Sequence, residues 1–526
     1  MTWRQTLRER WWLAPIAILV VAAVIVIRIL TAPLEVSANV SDGDQAVPRT
    51  ATIDLRFNQD MNADSVQRHF VITPKVIVAF KAVSLREFQL RPTMLPSTAY
   101  HVSLKGAQSS SGRGQVTGGF SFKTEAAPAI ADVKVDNKVV KDGQQALHPS
   151  AATGAVKIDF SQPMDSAKTP ITLNGKAFDT KKVTWSSDAR SATLDIKLGP
   201  SRQYLLGIPQ AALNRKHDPL AADWKLSFTT VIQVPSQGDP ARIGSGGPAI
   251  VQIENSSDAR PQAGMQQADM VYEYISEGSI PRLSVIYWHP LPGLVGPVRS
   301  CRLITIRLVL MYKGMIYCSG ANDYILGLVW QHPNLVNDYS HGAGNVYFRD
   351  NATRFAPHNV MMNGANVTAF TIQNNLPAPV YEIAPKHPDA APAAQPAAAI
   401  SVPDHAATWQ YDSASKEYLK TQDGAAFMNV GTGRLHAKTV IVENVTSFLD
   451  MNPANAFHGY HTEAYELTGD GTADIYSNGT VIHATWHHPD PNVPTVYLDA
   501  NGDPIDLNTG LTWVHVIGST TWHSGL

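Results

Sequence analysis

ATIDLRFNQDM (Ala51–Met61) and AVKIDFSQPM (Ala155–Met164) are two copies of one sequence pattern. In each copy apolar residues alternate with polar ones and lead into a polar corner that ends in Met, which is typical of a half-buried strand followed by a turn. Two further strand patterns recur downstream, YHVSL with YLLGI and FSFKT with LSFTT, and the offset between copies is 103–106 residues throughout. The sequence therefore predicts two tandem β-sandwiches, at 33–127 and 128–232.

The corner pattern, F-(N/S)-(Q)-x-M, resembles that of bacterial Ig-like domains of the SbsA type. This resemblance implies spacer or adhesive units of the cell envelope. Such domains would position the rest of the chain and would not themselves catalyse a reaction. The acidic residues near the corners lack the spacing of a calcium-binding loop, so we expect them to be solvated turn residues.

An apolar run, WWLAPIAILVVAAVIVIRIL, occupies residues 11–30 upstream of the first copy. About 20 apolar residues span a ~30 Å hydrocarbon core, whereas a signal peptide usually has only about 7–15. Three arginines within residues 1–10 predict that the N-terminus is cytoplasmic. We therefore expect a cytoplasmic stub (1–10), a single-pass transmembrane helix (11–30) that anchors the chain in the cell membrane, and an extracytoplasmic remainder. Val36–Ala38 could serve as a signal-peptide cleavage site, so removal of the helix from the mature protein remains an alternative.

The composition restricts the possible partners and cofactors. Charged residues make up 16% of the chain, against about 25% in average soluble proteins, and 42 basic residues nearly balance 44 acidic ones. No basic field for nucleic acid is therefore expected. The two cysteines, Cys301 and Cys318, exclude a disulfide-framework fold, but both a single bridge and two free thiols remain open.

The second half begins after a linker rich in Gly and Pro at 233–248 and carries five motifs. These are E-N-x-x-x-A-R-P-Q, A-D-x-V-Y-E with E-G, G-P-V-R-S-x-R, A-P-H-N and G-x-T-W. Together they resemble the YerB-like family of bacterial envelope proteins, which contain a domain of unknown function in N- and C-terminal parts. The resemblance implies a two-part α+β module at 249–384 and 404–526 without a settled activity. A Pro/Ala-rich linker at 385–403 is expected to be a poorly ordered surface connection.

The sequence departs from the family at two positions. Many relatives are lipoproteins, whereas this N-terminus lacks a lipobox cysteine, and Cys301 stands where relatives commonly carry a small residue. The first departure changes the expected anchor and leaves the expected domain unchanged.

Arginine and glutamate residues are concentrated in the first part of this module. Residues 264–276 are predicted to be helical, which would put Glu273 and Glu277 one turn apart on the same face. Arginine binds carboxylates and phosphates through two parallel hydrogen bonds, which suits anionic groups of peptidoglycan or teichoic acid. The alternative is that the arginines pair with these two glutamates and hold a helix on a sheet.

We expect the ligand-binding residues to share one concave face of the N-terminal YerB-like part. The predicted site consists of Arg299, Ser300, Arg302, Arg349, Arg354, His358 and Asn359, with Glu273, Glu277 and Arg282 beside them. Since carboxylates are scarce nearby and an unpaired buried charge is costly, some guanidinium groups would remain available for an external anion.

Other chemistries have weaker support in the sequence. Ser340–Asn345 resembles the L,D-transpeptidase strand end, but Ala343 replaces the cysteine nucleophile. The S-x-x-K pattern at Ser413–Lys416 is predicted to be a hairpin turn rather than a nucleophile motif. His332, Asp338, His341 and His358 could approach each other only through the tertiary fold, so we expect no metal and no cofactor.

Three functions remain open at this stage. The first is a non-catalytic envelope protein that binds cell-wall polymer or a wall-synthesis protein. The second is an enzyme acting on cell-wall glycan or peptide through Glu273, Glu277 or His358, and the third is a purely structural or adhesive surface protein. A cleft around the arginines, with a glutamate of raised pKa inside it, would favour an enzyme.

Overall fold

The computed structural model describes residues 13–31, 33–112, 114–147, 155–238, 241–321, 325–327, 336–338, 345–374, 376–449 and 463–520. The chain divides into two units. The first comprises Met1–Lys141, Gly154–Ile196 and Leu205–Leu226, and the second comprises Asp142–Thr153, Lys197–Tyr204 and Ser227–Leu526.

The apolar run near the N-terminus forms a helix, Leu13–Thr31. Within the residues that the structure describes, no helix meets the length and apolarity needed to span a membrane. The transmembrane span at 11–30 therefore stays a prediction, and the stub at 1–10 lies outside the described residues.

The first repeat copy forms two four-stranded sheets and one short helix. The strands of the first sheet, in spatial order, are Val36–Ala38, Ile53–Phe57, Glu87–Pro92 and Val78–Ala82. Those of the second are Asp44–Val47, Gly119–Thr124, Ala99–Ser103 and Val71–Thr73, and the helix is Ala63–His69. The predicted alternation is confirmed, because Ile53, Leu55 and Phe57 are buried in the apolar core of this domain.

The second copy also forms two sheets, each of five strands. The first contains, in order, Lys138–Val139, Ile130–Val135, Val156–Phe160, Ser191–Leu194 and Val183–Trp185. The second contains Gln144–Leu147, Trp224–Thr230, Gln203–Ile208, Thr172–Leu173 and Lys176–Ala177.

Corresponding tyrosines make corresponding contacts in the two copies. The hydroxyl of Tyr100 accepts the backbone N–H of Leu95, and that of Tyr204 accepts the N–H of Gly199, both at 2.8 Å. Each tyrosine ring also stacks on a phenylalanine of the aromatic-Ser strand, with ring centroids 5.7 Å and 5.4 Å apart. The predicted internal repeat is therefore confirmed at the level of side-chain contacts.

The second unit contains a twelve-stranded sheet. Its strands are β1 Ala249–Glu254, β2 Met270–Ile275, β3 Pro281–Tyr287, β4 Met315–Cys318, β5 Val336–Asp338, β6 Gln395–Pro396, β7 Thr439–Leu449, β8 Glu463–Glu466, β9 Gly469–Ser477, β10 Thr480–His488, β11 Val496–Leu498 and β12 Thr512–Thr520. Their spatial order is β5-β4-β1-β3-β2-β12-β7-β9-β10-β6, with β8 beside β7 and β11 beside β10. Because β2 pairs in parallel with β12, strands of both YerB-like parts share one sheet.

Helices contribute to two apolar clusters, and successive residues of a strand such as β2 belong alternately to one cluster and to the other. Leu303–Tyr312 contributes to the cluster that contains Met270, Tyr272 and Tyr274, whereas Gly364–Gln373 contributes Val367 to the cluster that contains Val271. The predicted helix after Arg302 is therefore confirmed. The predicted helix at 264–276 is wrong, since β2 occupies Met270–Ile275 and is buried along nearly its whole length.

Smaller sheets complete the second unit. The first has five strands, Ala399–Val402, Ala407–Asp412, Glu417–Gln422, Ala425–Ala426 and His436–Ala437. Two sheets have three strands each: one contains Gln262–Ala263, Met428–Val430 and Gly433–Arg434, and the other contains Leu294–Val295, Val360–Asn363 and Tyr347–Arg349. The last has two strands, Ile232–Val234 and Tyr381–Ile383. Ser413–Lys416 lies in the hairpin between two of these strands, as predicted. The prediction of a poorly ordered linker is wrong for Gln395–Pro396 and Ala399–Val402, which pair as strands.

The two cysteines form a disulfide between Cys301, just before the helix Leu303–Tyr312, and Cys318, at the end of β4. Both residues are fully buried. Of the two alternatives that the sequence left open, the structure therefore has the disulfide bridge and not two free thiols.

Candidate functional site

Glu254, the last residue of β1, is a buried carboxylate with three side-chain partners. Its Oε1 accepts the hydroxyl of Ser256 at 2.8 Å and lies 3.2 Å from Nε of Arg299 and 3.0 Å from Nδ1 of His358. Glu254 therefore joins two of the predicted site residues, although it was not itself predicted as one.

Backbone hydrogen bonds bring three of the sequence motifs together at this carboxylate. The N–H of Glu254 donates to the carbonyl of Pro297, and the N–H of Arg299 donates to the carbonyl of Gln252. The N–H of Val298 donates to the carbonyl of Val360, next to the A-P-H-N motif. Arg299 and His358 consequently approach the same carboxylate from neighbouring segments.

The hydrogen bond to Glu254 determines the orientation of the His358 imidazole. Because an ionised carboxylate only accepts hydrogen bonds, Nδ1 of His358 carries the hydrogen, and Nε2 is left as the acceptor of the neutral ring. Ser256 lies 3.5 Å from Nδ1 and donates to Glu254, so it does not occupy the nucleophile position of a Ser-His-carboxylate triad. Phe355, 60% exposed, packs edge-on against the imidazole at 5.3 Å between ring centroids.

The remaining residues of this predicted face stabilise the loops around Glu254. Nη1 of Arg349 donates to Oδ1 of Asn359 at 2.7 Å, and Nδ2 of Asn359 donates to Oδ1 of Asn351 at 2.6 Å. Arg354 donates through Nη1 to the carbonyl of Ala259 at 2.8 Å and through Nη2 to the carbonyl of Pro261. Burial lowers the pKa of Arg354, and nearby carboxylates partly oppose this effect.

Arg302 belongs to a different cluster, centred on Glu277. Its guanidinium binds both carboxylate oxygens, with Nε to Oε2 at 2.8 Å and Nη2 to Oε1. Nη2 of Arg282 lies 3.2 Å from Oε1 of the same carboxylate. Burial would raise the pKa of Glu277, but the bond from Arg302 and the charges of both arginines lower it to about 2. Burial, together with the charge of Arg302, lowers the pKa of Arg282 to about 10.

Arg302 and Arg282 are therefore paired with an internal carboxylate, which is the structural alternative that the sequence left open. Ser300, between the two clusters, donates its hydroxyl to the carbonyl of Ser319 at 3.2 Å. The structure thus brings Arg299, Arg349, Arg354, His358 and Asn359 to the loops around Glu254, and places Arg302 with Glu277.

Glu273 lies in neither cluster. It is fully buried, with Oε2 2.7 Å from Nε1 of Trp513 and 3.1 Å from Nζ of Lys420. The predicted common helical face of Glu273 and Glu277 is therefore wrong, because β2 directs Glu273 toward residues of the C-terminal part. The carboxyl pair that a glycosidase would need is not formed by these two residues.

The surroundings of Glu273 contain a His-His-Glu set with donor atoms within 4.8 Å of one another, formed with His405 and His515. Nε1 of Trp409 donates to Nε2 of His515 at 2.9 Å, which places the ring hydrogen on Nδ1, 2.8 Å from Nδ1 of His405. A metal on Nδ1 of His515 would force the hydrogen onto Nε2, against the Trp409 donor. These residues therefore do not fit a metal, and burial keeps the pKa of His515 well below its ordinary value.

Two of the histidines considered as metal ligands, His332 and His341, lie outside the described residues, as does the L,D-transpeptidase-like segment up to Gly344.

Comparison with known families matches three parts of the chain. Residues 238–376 match the N-terminal domain of DUF3048, a protein family of unknown function, and residues 398–514 match its C-terminal domain. Residues 30–124 match a bacterial Ig-like domain, Big_5.

Individual proteins are also similar to parts of this chain. YerB of Bacillus subtilis (strain 168), named as a candidate lipoprotein, is 23% identical over 284 residues, which cover 51% of this chain and 81% of YerB. The crystal structure of Bacillus subtilis YerB matches with a TM-score of 0.45 and 19% identity, over 54% of this chain and 96% of that one. The N-terminal part of the S-layer protein SbsC matches with a TM-score of 0.15 and 12% identity, over 37% of this chain and 44% of that one. The chain therefore contains both parts of the DUF3048 domain, is a homologue of YerB, and carries a bacterial Ig-like domain on the N-terminal side of these parts.

Proposed function

We propose that this protein is an extracytoplasmic protein of the cell envelope, anchored by the helix at 11–30, and that it binds an anionic group of a cell-wall polymer. The binding surface is formed by Arg299, Arg354 and His358 around Glu254. A wall-synthesis protein that presents a carboxylate or phosphate would use the same contacts.

The observation that carries this proposal is that Glu254 occupies only one side of the Arg299 guanidinium and one side of the His358 imidazole. Arg299 contacts it through Nε, and the side chain is 27% exposed, whereas its two Nη atoms bind no partner among the described residues. His358 contacts it through Nδ1, and its Nε2 likewise binds no partner among the described residues. Glu254 thus fixes both groups and leaves the Nη donors of Arg299 and the acceptor Nε2 of His358 available, which reduces the entropy lost on binding.

The local charge balance favours an anionic ligand. Three arginines, Arg299, Arg349 and Arg354, are accompanied by two carboxylates, Glu254 and Asp350. A guanidinium group binds carboxylate and phosphate in a planar, bidentate geometry. Arg302 differs from Arg299, because the guanidinium of Arg302 already binds both carboxylate oxygens of Glu277.

The environment of the site is consistent with a polymer ligand. The exposed ring of Phe355 beside His358 offers an apolar face against which a sugar ring can pack. The lipoprotein name of YerB and the Ig-like domain support a location at the outer side of the cell membrane.

The Glu254–His358 dyad supports an enzyme as the second candidate function. A carboxylate that orients Nδ1 and leaves Nε2 as a free base is the arrangement used for general-base catalysis. No described serine lies at Nε2, so a base acting on water or on a substrate hydroxyl would be the simplest chemistry.

Sedimentation of the full chain, purified in detergent, with isolated cell walls tests the proposal. Walls that retain their anionic polymers are compared with walls from which these have been extracted. We expect binding to the first kind only, and Arg299→Lys should weaken it tenfold or more, since a hydrogen bond to a charged group is worth about 1.5–3 kcal/mol.

Arg56→Lys is the matched control, because Arg56 is an exposed arginine of the Ig-like domain whose Nε lies 3.3 Å from a carboxylate oxygen of Glu87. Equal binding to both kinds of wall, or equal binding by Arg299→Lys and the wild type, would contradict the proposal. If His358→Gln still sediments with walls but no longer releases soluble wall fragments that the wild type releases, the enzyme is the better description.

A further inference from the structure

A cavity of about 410 Å³ lies against the central sheet of the second unit. Met270 and three tyrosines, Tyr272, Tyr312 and Tyr497, line the cavity, and we call these tyrosines its floor because Met270 and Tyr272 lie on β2 of the central sheet. Prolines and aliphatic residues form much of its walls, among them Pro235, Pro385, Pro504, Ile505 and Leu507. A volume of this size is in the range of small-molecule sites, about 300–1,000 Å³.

The hydroxyls of the three tyrosines all have hydrogen-bond partners inside the protein. Tyr497 donates to Oε2 of Glu443 at 2.7 Å. The hydroxyls of Tyr272 and Tyr312 are 2.6 Å apart and share one hydrogen bond in which either oxygen can be the donor, and the Tyr312 hydroxyl also lies 3.8 Å from Sδ of Met270. Because the hydrogen of Tyr497 is used inside the protein, its oxygen can only accept hydrogen bonds toward the cavity. Burial raises the pKa of each phenol far above its ordinary value, which keeps the hydrogens in place.

Two carboxylates lie at or behind the lining of the cavity. Glu443 lies behind Tyr497, Asp506 and His387 are the titratable lining residues besides the tyrosines, and neither Lys nor Arg is found among the lining residues. The tyrosine rings add their π faces, which attract cations. The accepting oxygen of Tyr497 and the nearby carboxylates therefore both favour a ligand that carries a positive charge and donates hydrogen bonds.

We propose that this cavity binds an organic ammonium ion, with the ammonium group on the tyrosine floor and an apolar body between the proline walls. The charge of Glu443 acts on the ligand through the polarised hydroxyl of Tyr497. The inference is independent of the proposed function, because the surface around Glu254 is positive and this cavity is negative.

Glu443 provides a pH-dependent signature of such binding. Burial raises its pKa to about 7, and the hydrogen bond from Tyr497 only partly opposes this shift. The titratable groups that face it are Tyr497, which donates to it, and the neighbouring Tyr272 and Tyr312. A bound ammonium favours the ionised carboxylate, so affinity should rise with pH through about 7.

Titration of the full chain with choline and with its neutral isostere 3,3-dimethyl-1-butanol, followed calorimetrically, tests the inference. Ethylamine and tetramethylammonium extend the panel of cations, and glucose serves as a neutral hydroxyl probe. We expect at least one ammonium probe to bind tenfold or more tightly than the neutral probes. Glu443→Gln, which keeps the shape and removes the charge, should abolish this preference, and Tyr497→Phe should reduce it.

Glu466→Gln is the matched control, because Glu466 lies in the neighbouring β8 and its carboxylate is partly exposed. It should bind as the wild type does. Failure of every ammonium probe to bind, tighter binding of a neutral probe, or an undiminished preference in Glu443→Gln would each overturn the proposal.

Discussion

Lys420→Met should strongly destabilise the YerB-like module, because Lys420 and Glu273 form a fully buried ion pair. Nζ of Lys420 lies 3.1 Å from Oε2 of Glu273 and also donates to Oε1 of Gln422. Three aromatic rings surround the ammonium group, with centroids 4.8 Å away for Phe427, 5.0 Å for Trp513 and 5.6 Å for Trp409. Methionine fills this apolar space but leaves the carboxylate without its cation.

The expected loss is several kilocalories per mole. At 3.1 Å and an effective dielectric constant of about 20, the attraction between the two charges is about 5 kcal/mol. Desolvation of both groups offsets much of this attraction, so the intact pair contributes little net stability. Removal of one partner is different, since an unpaired buried charge costs about 3–5 kcal/mol. Glu273→Gln combined with Lys420→Met removes both charges and should recover most of the loss.

Urea unfolding, read from amide hydrogen exchange in β7 and β12 of the full chain, measures this effect without averaging over the other domains. The control is Lys157→Met, the same substitution at a lysine that is 43% exposed and paired with Asp159 at 3.2 Å. It should change stability by less than about 1 kcal/mol. The reasoning is refuted if Lys420→Met is as mild as this control, or if the double variant is as unstable as the sum of its single variants.

Two further variants test the other clusters of the module. Cys301→Ser opens a loop with a sequence separation of 17 residues and should lower the free energy of unfolding by about 3 kcal/mol, whereas a reductant should destabilise the wild type and leave the variant unchanged. Glu277→Gln should be destabilising at neutral pH, because the folded-state pKa of Glu277 is about 2, below the ordinary value of about 4.3. Its stabilisation is present above that ordinary value and lost as the pH falls toward 2, so acid denaturation curves of variant and wild type should converge there; a constant difference would contradict this assignment.

The tandem repeat was predictable from the sequence because its strands are buried on one face only. Ile53, Leu55 and Phe57 alternate with more exposed residues, and such alternation distinguishes a strand from a helix. The recurrence of Tyr100 at Tyr204 then identified equivalent positions, which the structure gives equivalent hydrogen bonds.

The strand β2 was not predictable in the same way. It is buried on both faces, with Met270, Tyr272 and Tyr274 in one apolar cluster and Val271 in the other. A short run that is apolar apart from one residue, Glu273, cannot be distinguished by periodicity from a segment of buried helix. The error reached the candidate site, since Glu273 and Glu277 were placed on one helical face.

The sequence predicted Arg299 and His358 as residues of the candidate site, but it did not predict Glu254, the carboxylate that both of them contact. Arg299 and His358 stand in motifs of unusual polarity, and both contact Glu254 in the structure. The pairing of Glu254 with His358 spans 104 residues and depends on strand register, which local sequence patterns do not reveal. For the same reason Lys420, 147 residues from Glu273, could not be assigned as its partner.

The two family segments form one structural domain, because their strands and polar residues complete each other. β2 of the N-terminal part pairs with β12 of the C-terminal part, and β12 pairs in turn with β7. Two donors to Glu273, Lys420 and Trp513, come from the C-terminal part, and a third, Asn255, comes from the N-terminal part. The cavity likewise takes Tyr272 and Tyr312 from one part and Tyr497 from the other. The surface around Glu254 is different, since Glu254, Arg299 and His358 all belong to the N-terminal part, so these residues of the proposed binding surface can be changed without removing a contact between the two parts.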